Sequence, residues 1–524
     1  MSLGPTPRQG DVFRDTTEFC APRVRTDSIY ALLARECLNL FPDELFADLF
    51  ADIGRRSVPP LVVAVVMVLQ RLEGLSDREA VERFTFDARW KYACGGLPFD
   101  YPGFAHTVLV DMRARLARSD RPKRIFERSV EVARDAGLVG VRRVLDSTPL
   151  YDAVATMDTV SLVRAAIRGV LAAADEREEP LRSVLHRDDD YGTGGKPACD
   201  WEDADARLAL VDALARDGQA LLEALEGSPL PPALGQAATL LATVLGQDLE
   251  DGPDGRIRIA RRVARDRVIS TVDPDARHGH KTDHRSFDGY KGHVALDPDA
   301  ELVTATAVTP GNAGDASVVP ELLADELVAA REAPGDTPLT VYGDSAYGAG
   351  VVLETLEDAG AVSRCKVQPS HALPGLFSKD DFRVDLTALT VTCPAGRVAR
   401  IGNGVRERHA RFGSACAGCP LASRCTTSPR GRTVEVGPHE VLLAGGRAAA
   451  RDPAWRDDYR ATRPKVERKL AHLVRRRHGG RRARVRGRQK VGADFALLAG
   501  AVNLARLAVL GLVRSAGTWT VQAG

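Results

Sequence analysis

The chain lacks an apolar run long enough for a bilayer: the longest, Leu61–Leu69 in LVVAVVMVLQ, falls far short of the roughly 18 to 20 residues that a span needs. No transmembrane segment is predicted. The start, MSLGPTPRQGDVFRD, lacks the basic, apolar and small-residue order of a secretory signal, so a cytoplasmic protein is expected. Cysteine is sparse, nine in 524 residues, which excludes a disulfide scaffold; in a reducing compartment a local cluster of thiols points to metal instead. Gly and Pro are too few for a fibrous or disordered chain, and 44% hydrophobic with 27% charged residues are globular values. A chain of 524 residues has room for roughly three domains.

Net charge is almost absent at +1, yet its distribution is uneven. Arg456–Lys490 holds fifteen Lys or Arg against three acids, whereas Asp175–Glu226 is rich in Asp and Glu. A basic segment of this density fits phosphate-backbone binding; the alternative is a solvated patch.

Residues 56–118 read as helices, with Pro59 and Pro60 opening an apolar run, Gly74 interrupting it and Ser76-Asp77-Arg78-Glu79 forming a capping box. Such a module could lie on DNA or serve packing. From Val141 the pattern turns to short strands: VRRVLDSTP ending at Asp146, then YKGHVALD paired with ELVTATAVTPGN. A helix in SVVPELLADELVAAR, a strand LTVYGDSAYG ending at Asp344, a helix in VVLETLEDAG and a strand in SRCKVQP follow. The expected class is α/β, a mixed sheet layered with helices in the strand and helix order of RNase H-like folds. About a hundred residues between the first two strands form an insert, with amphipathic helices in MDTVSLVRAAIRGVLAAADE and DARLALVDALARDGQALLEALE.

Phosphodiester chemistry uses two hard divalent ions, which take oxygen ligands. Asp146 and Asp344 each follow an apolar strand and could project from one end of a sheet. A third acid, Glu467, lies in DDYRATRPKVERKLAHLVRRR. Tyr459, Arg463, Glu467 and Arg475 would share one face if the helix is continuous, and Pro464 marks where it could instead begin.

VLDSTP, VYGDSAYG and YRATRPKVERKLAHLVRR, in this order, resemble the three acidic blocks of bacterial insertion-sequence DDE transposases, most closely the eleven-eighty-two-like group of the IS-four-like superfamily. STVDPDARHGHKTDHRSFDGYKGHVALD and VTPGNAGDA resemble the blocks between the two aspartates. The resemblance covers Val141–Asp152, Val268–Val367 and Trp455–Leu507, and more loosely residues 56–118. It implies Asp146, Asp344 and Glu467 as the triad that binds two Mg²⁺ (or Mn²⁺) ions. Tyr290, Lys291 and His293 would lie on the second strand, with Asn312 near the active site, and Lys291 and Asn312 would contact DNA. Tyr459, Arg463 and Arg475 would hold phosphate and the transposon end, although three residues rather than two separate Tyr459 from Arg463, and seven rather than six separate Glu467 from Arg475.

Cys393, Cys416, Cys419 and Cys425 fall within about thirty residues, and a C-x₂-C pair with two more thiols can close a tetrahedral Zn²⁺ site. Four reduced structural cysteines are the alternative. Similar Cys blocks recur in the resembling transposases. Cys20, Cys37, Cys94, Cys199 and Cys365 are scattered and read as ordinary. After Glu467, RRRHGGRRARVRGRQK is unsuited to a core, and Arg481, Arg482, Arg484 and Arg486 are expected on DNA phosphates; FALLAGAVNLARLAVLGLV then reads as a buried closing helix.

The expected organisation is an N-terminal segment (1–55), a helical DNA-binding module (56–135), an RNase H-like catalytic domain (136–160, 261–370 and 455–515), a helical acidic insert (161–260) and a Cys-rich zinc insert (371–454). By resemblance the function is metal-dependent cleavage at insertion-sequence ends and strand transfer. The partners are double-stranded DNA, as terminal inverted repeats and target, bound by a homodimer at the bacterial nucleoid with no membrane. The alternatives are a catalytically inactive or domesticated transposase acting as a DNA-binding regulator, and a nuclease of the same fold that cuts without joining.

Overall fold

The computed structural model describes residues 15–152, 156–282, 285–332, 335–402, 404 and 408–522; the first fourteen residues of the expected N-terminal segment lie outside them. The chain opens with helices. α1 (Ile29–Leu40) precedes α2 (Pro60–Glu73), which starts on a proline whose missing N–H costs nothing there and stops at Gly74, whose φ of 72° suits glycine. The expected capping box is present: Ser76 Oγ accepts from Glu79 N–H at 3.3 Å and the Glu79 carboxylate accepts from Ser76 N–H at 2.7 Å, opening α3 (Asp77–Phe86). α4 (Thr107–Arg118) and α5 (Arg124–Asp135) complete the group.

The central sheet follows, six-stranded among the described residues: β1 (Arg142–Tyr151), β2 (Arg277–Thr282), β3 (Arg285–Asp297), β4 (Leu302–Pro310), β5 (Thr340–Gly343) and β6 (Val362–Cys365). β3 runs antiparallel to β1, β2 and β4, while β1, β5 and β6 are parallel. β1 therefore does not end at Asp146 as the sequence suggested; its ladder with β3 continues to Tyr151 opposite Gly289. Pro149 is tolerated because the β5 ladder covers only Arg142–Val144.

Alternation of side chains gives the sheet two faces. Leu145, Ala295 and Val341 point to one core, with α9 (Ala324–Glu332) and α10 (Gly350–Asp358) over it. Val144, Val294 and Tyr342 point to the other, shared with the N-terminal helices. This second layer also receives α12 (Pro464–Leu473) and α13 (Arg488–Val509), the last two long helices of the chain. By length and composition α13 could cross a bilayer, but 67% of its most apolar window is buried inside the fold, as the closing helix expected from FALLAGAVNLARLAVLGLV.

Between β1 and β2, α6 (Thr159–Ala173), α7 (Ala204–Leu225) and α8 (Pro232–Asp248) enclose their own core, including Leu162, Ile167, Leu214 and Leu241. α8 was not anticipated from sequence. After β6, short strands at Arg383–Asp385, Thr390–Thr392 and Val398–Arg400, and a pair at Arg408–Arg411 and Thr433–Val436, pack around Phe382, Val391, Phe412 and Val434.

Candidate active site

Register brings the two aspartates together. Val144 of β1 lies opposite Tyr342 of β5, so two residues further along these parallel strands Asp146 stands level with Asp344. Strands in a sheet are about 4.8 Å apart. Both aspartates share the parity of Val144 and Tyr342, which directs them to the face that α12 covers. α12 buries Val466, Leu470 and Leu473 against that face and carries Glu467 at its first turn.

The carboxylates meet on one cation. Arg463 Nη2 lies 3.1 Å from Asp146 Oδ1 and 3.8 Å from Asp344 Oδ2, and its Nη1 lies 3.5 Å from Glu467 Oε1. Exposure climbs from 7% for the Arg463 side chain and 14% for Asp146 to 46% for Asp344 and 64% for Glu467, so the cluster opens to solvent on the Glu467 side. Burial raises the pKa of Asp146 to about 6, outweighing Arg463, which lowers it; the Asp344 charge adds to the rise. For Arg463, burial opposes the charge but Asp146, Tyr459 and Asp344 outweigh it, so its pKa is raised. Arg463 Nε is buried without a hydrogen-bond acceptor, and Nη1, although 3.5 Å from Glu467 Oε1, makes no hydrogen bond.

Arg463 is placed by the break in its helix. α11 (Pro453–Thr462) ends on it and Pro464 starts α12, so the continuous helix through Arg475 is not formed. Tyr459 of α11 donates to the Gly343 carbonyl at 3.2 Å and stacks on Trp455, while Tyr342 donates to Asp458 at 2.9 Å. These contacts tie α11 to the end of β5, one residue before Asp344. Burial pushes the Tyr459 phenol up to about 12, so it stays a donor. Arg475 follows the C-terminal end of α12 and does not share its face with Glu467.

Lys291, expected on DNA, and four residues given no role from the sequence, Ser147, His293, Asp315 and Tyr347, complete the floor of the site. Ser147 Oγ donates to Asp315 Oδ2 at 2.6 Å, and Lys291 Nζ donates to Asp315 Oδ1 and the Ala313 carbonyl, both at 2.8 Å. Tyr347 is fully buried; burial and then the charges of Asp315, Asp146 and Asp344 raise its pKa well above the ordinary value. His293, buried 3.4 Å from the Tyr347 hydroxyl and 2.8 Å from Thr309 Oγ1, is lowered to about 4 by burial and is neutral near pH 7. Asp315 stands in VTPGNAGDA, where Asn312 drew attention first. Asn312 instead donates to the Arg265 carbonyl at 3.2 Å and to Asp266 at 2.9 Å, on the segment returning from the helical insert.

The basic segment is anchored chiefly through its backbone, and the Arg484 guanidinium donates to the Leu75 carbonyl. Tyr151 N–H donates to the Arg481 carbonyl and Ala483 N–H to the Tyr151 carbonyl, at 2.9 and 2.8 Å. Arg71 donates to the His478 carbonyl, while the Arg481, Arg482, Arg484 and Arg486 side chains are exposed. His478 and Ala483 are buried, so the segment is not wholly outside the core as the sequence suggested.

Cys393, Cys416, Cys419 and Cys425 line one cavity of about 20 Å³. Gly418, at φ 70°, turns the C-x₂-C pair, and Arg432 N–H donates to Cys416 Sγ at 3.5 Å. Among the described residues no group of three or more His, Cys, Asp or Glu is drawn tightly enough to hold a metal ion as it stands. The donor chemistry still fits: oxygen ligands with a counter-cation at one place, four thiols around one small cavity at the other.

A family model described as "Transposase DDE domain" matches residues 392–508, and one described as "Transposase domain (DUF772)" matches residues 23–115. These matches support a DDE transposase. The first includes the four clustered cysteines, Arg463, Glu467 and α13, while Asp146 and Asp344 precede it. The second covers helices from α1 to most of α4. A DDE transposase domain implies a nucleic-acid-processing enzyme, such domains generally use divalent metal ions, and transposases bind DNA. No curated protein and no solved structure matches the chain.

Proposed function

We propose that the chain is an insertion-sequence transposase of the eleven-eighty-two-like group in the IS-four-like superfamily, with an RNase H-like core that cleaves DNA at the element's ends and joins them to a target. The observation that carries this reading is the meeting of Asp146, Asp344 and Glu467, drawn from two strands and a helix, on one buried guanidinium. Asp146, Asp344 and Glu467 would hold two Mg²⁺ (or Mn²⁺) ions, which when bound supply activation of an attacking oxygen and stabilisation of a leaving one. Arg463 offers phosphate oxygens its Nε, which has no acceptor in the chain, and its Nη1, held by the ion pair with Glu467 alone, a role suited to its planar fork. Lys291 and Ser147 fix Asp315 beneath the site, and neutral His293 keeps a second positive charge out of its floor. Arg475, Arg481, Arg482, Arg484 and Arg486 hold flanking phosphates.

In the first step a water oxygen bonds to phosphorus and the 3′-oxygen leaves, gaining a proton. In the second, that 3′-hydroxyl loses its proton and bonds to a target phosphorus, breaking the target's own bond to its 3′-oxygen. The helical N-terminal module and the basic segment bind the duplex as part of a cytoplasmic homodimer, and one Zn²⁺ on the four clustered cysteines supports folding of residues 371–454. The test is incubation of the purified chain with Mg²⁺ and duplexes spanning the DNA that flanks its coding region. Nicked ends and joined products are expected; binding without any cut would overturn the catalytic reading.

A further inference from the structure

β2 and the start of β3 leave the sheet as a pair. The β1 ladder ends at Gly289 and the β4 ladder begins at Tyr290, so from Asp288 to Arg285 β3 is paired only with β2, apart from one bond from Asp152 N–H to the Asp288 carbonyl (2.9 Å). The root of this ribbon is tightly set. A Cβ on Gly279 would meet the Gly311 carbonyl oxygen at 2.3 Å, and Gly289, at φ 136°, would bring one equally close to the Leu150 carbonyl oxygen. Phe287 is buried on one face against the Tyr151 ring, 6.2 Å between centroids. The other face carries His278 and His280, with rings 5.0 Å apart, and Lys281 and Arg285 stand further out; all four are exposed. Among the described residues no carboxylate pairs with Lys281 or Arg285, whereas Asp288 is engaged by His278 at 2.7 Å.

We propose that this ribbon enters the major groove of the same duplex that lies on the Arg481–Arg486 segment, an inference that rests on the DNA-processing reading above. Tyr151 joins the two surfaces, bonding the Arg481 carbonyl with its backbone while its ring covers Phe287. From Asp288 to Arg285 the ribbon projects about 10 Å at roughly 3.3 Å per residue, comparable with the depth of a groove about 8.5 Å deep. Two strands about 4.8 Å apart with side chains fit a groove about 12 Å wide and not one about 6 Å wide. Lys281 and Arg285 meet phosphates or guanine edges there; His280 supplies a ring nitrogen to a base edge.

The test compares the full chain with a variant carrying His280→Ala, Lys281→Gln and Arg285→Gln. Binding is titrated at several salt concentrations on a duplex from the flanking DNA and on an unrelated duplex, with dimethyl sulfate protection of guanine N7 as a groove readout. The variant should bind both duplexes at least about tenfold more weakly, with a salt slope lower by up to about 1.8 if both charges touch phosphate. It should also lose N7 protection that the unaltered chain gives. Lys281→Arg with Arg285→Lys should keep the slope, which separates lost charge from lost folding. Equal affinity, slope and N7 protection in the triple variant would overturn the ribbon assignment while leaving DNA processing intact. An unaltered chain that binds no duplex at any salt would overturn both.

Discussion

The carboxylate cluster and the cysteine cluster are both candidate metal centres, and they are built in opposite ways. Asp146 and Glu467 are more than three hundred residues apart in sequence, yet the register of β1 with β5 and the packing of α12 set their places. Arg463 already sits among the acids as a fixed positive charge. The four cysteines lie within one short stretch, on turns around a small core, and the cation beside them, Arg432, comes from the same stretch. The first site is shaped by the whole fold; the second is local, and we expect it to depend on a bound metal to hold its surroundings.

The largest expected effect tests that dependence. Structural zinc is worth on the order of 10 kcal/mol in small domains, so chelation should raise hydrogen exchange across residues 371–454 while β1, β3 and β5 stay protected. Uniform protection before and after chelation, in protein shown to contain zinc, would erase the contrast. Next, Asp146→Ala, Asp344→Ala and Glu467→Ala should each lower Mg²⁺-dependent cleavage by about a thousandfold or more, with end binding changed only a few-fold. Cleavage that survives the triple variant would remove the acids from the chemistry.

A smaller effect isolates the internal cation. Arg463→Met should lower metal-free stability by on the order of 1–3 kcal/mol in urea unfolding, because Asp146 loses its counter-charge in a buried place. The smallest concerns pH. The Asp146 pKa is raised, so the folded state holds a proton that the unfolded chain has lost, and stability falls as pH rises from about 4 to about 6. The His293 pKa is lowered, so stability from that residue grows over about 4 to 6.5 and the two nearly cancel. Asp146→Asn should unmask the His293 slope as a urea midpoint that rises across that window; a flat midpoint would remove one of the two shifts.

Local chemistry was readable in the sequence, and distance was not. The capping box at Ser76, the stop at Gly74 and the start at Pro464 depend on neighbouring residues alone, and each stands where the chain predicts it. β1 was read short because Ser147-Thr148-Pro149 looks like a turn; its partner β3 holds it extended. β2 was missed because RHGHKT has little β-propensity of its own and exists as a strand through pairing with β3. At the candidate site Asp344 was legible as an acid after a strand and Glu467 as an acid on a helix, but nothing local told that Arg463 would stand among all three acids or that Asp315 would lie beneath them.

The seam between the first and last helices has a consequence for synthesis. Gly74 lies so close to the Arg477 carbonyl that a Cβ would meet its oxygen at 2.2 Å, and Arg71 Nε, almost wholly enclosed, pairs with Asp494 Oδ1 at 3.0 Å. Residues 71 and 494 are 423 positions apart (494 − 71). At about 5–20 residues per second a ribosome takes roughly 20–85 s to cover that interval. For that time α2, buried along nearly its whole length in the finished protein, has no α13 to lie against. The nascent chain can therefore cover α2 only with its N-terminal neighbours α1, α3 and α4, and the side that meets α13 stays uncovered until translation is almost over.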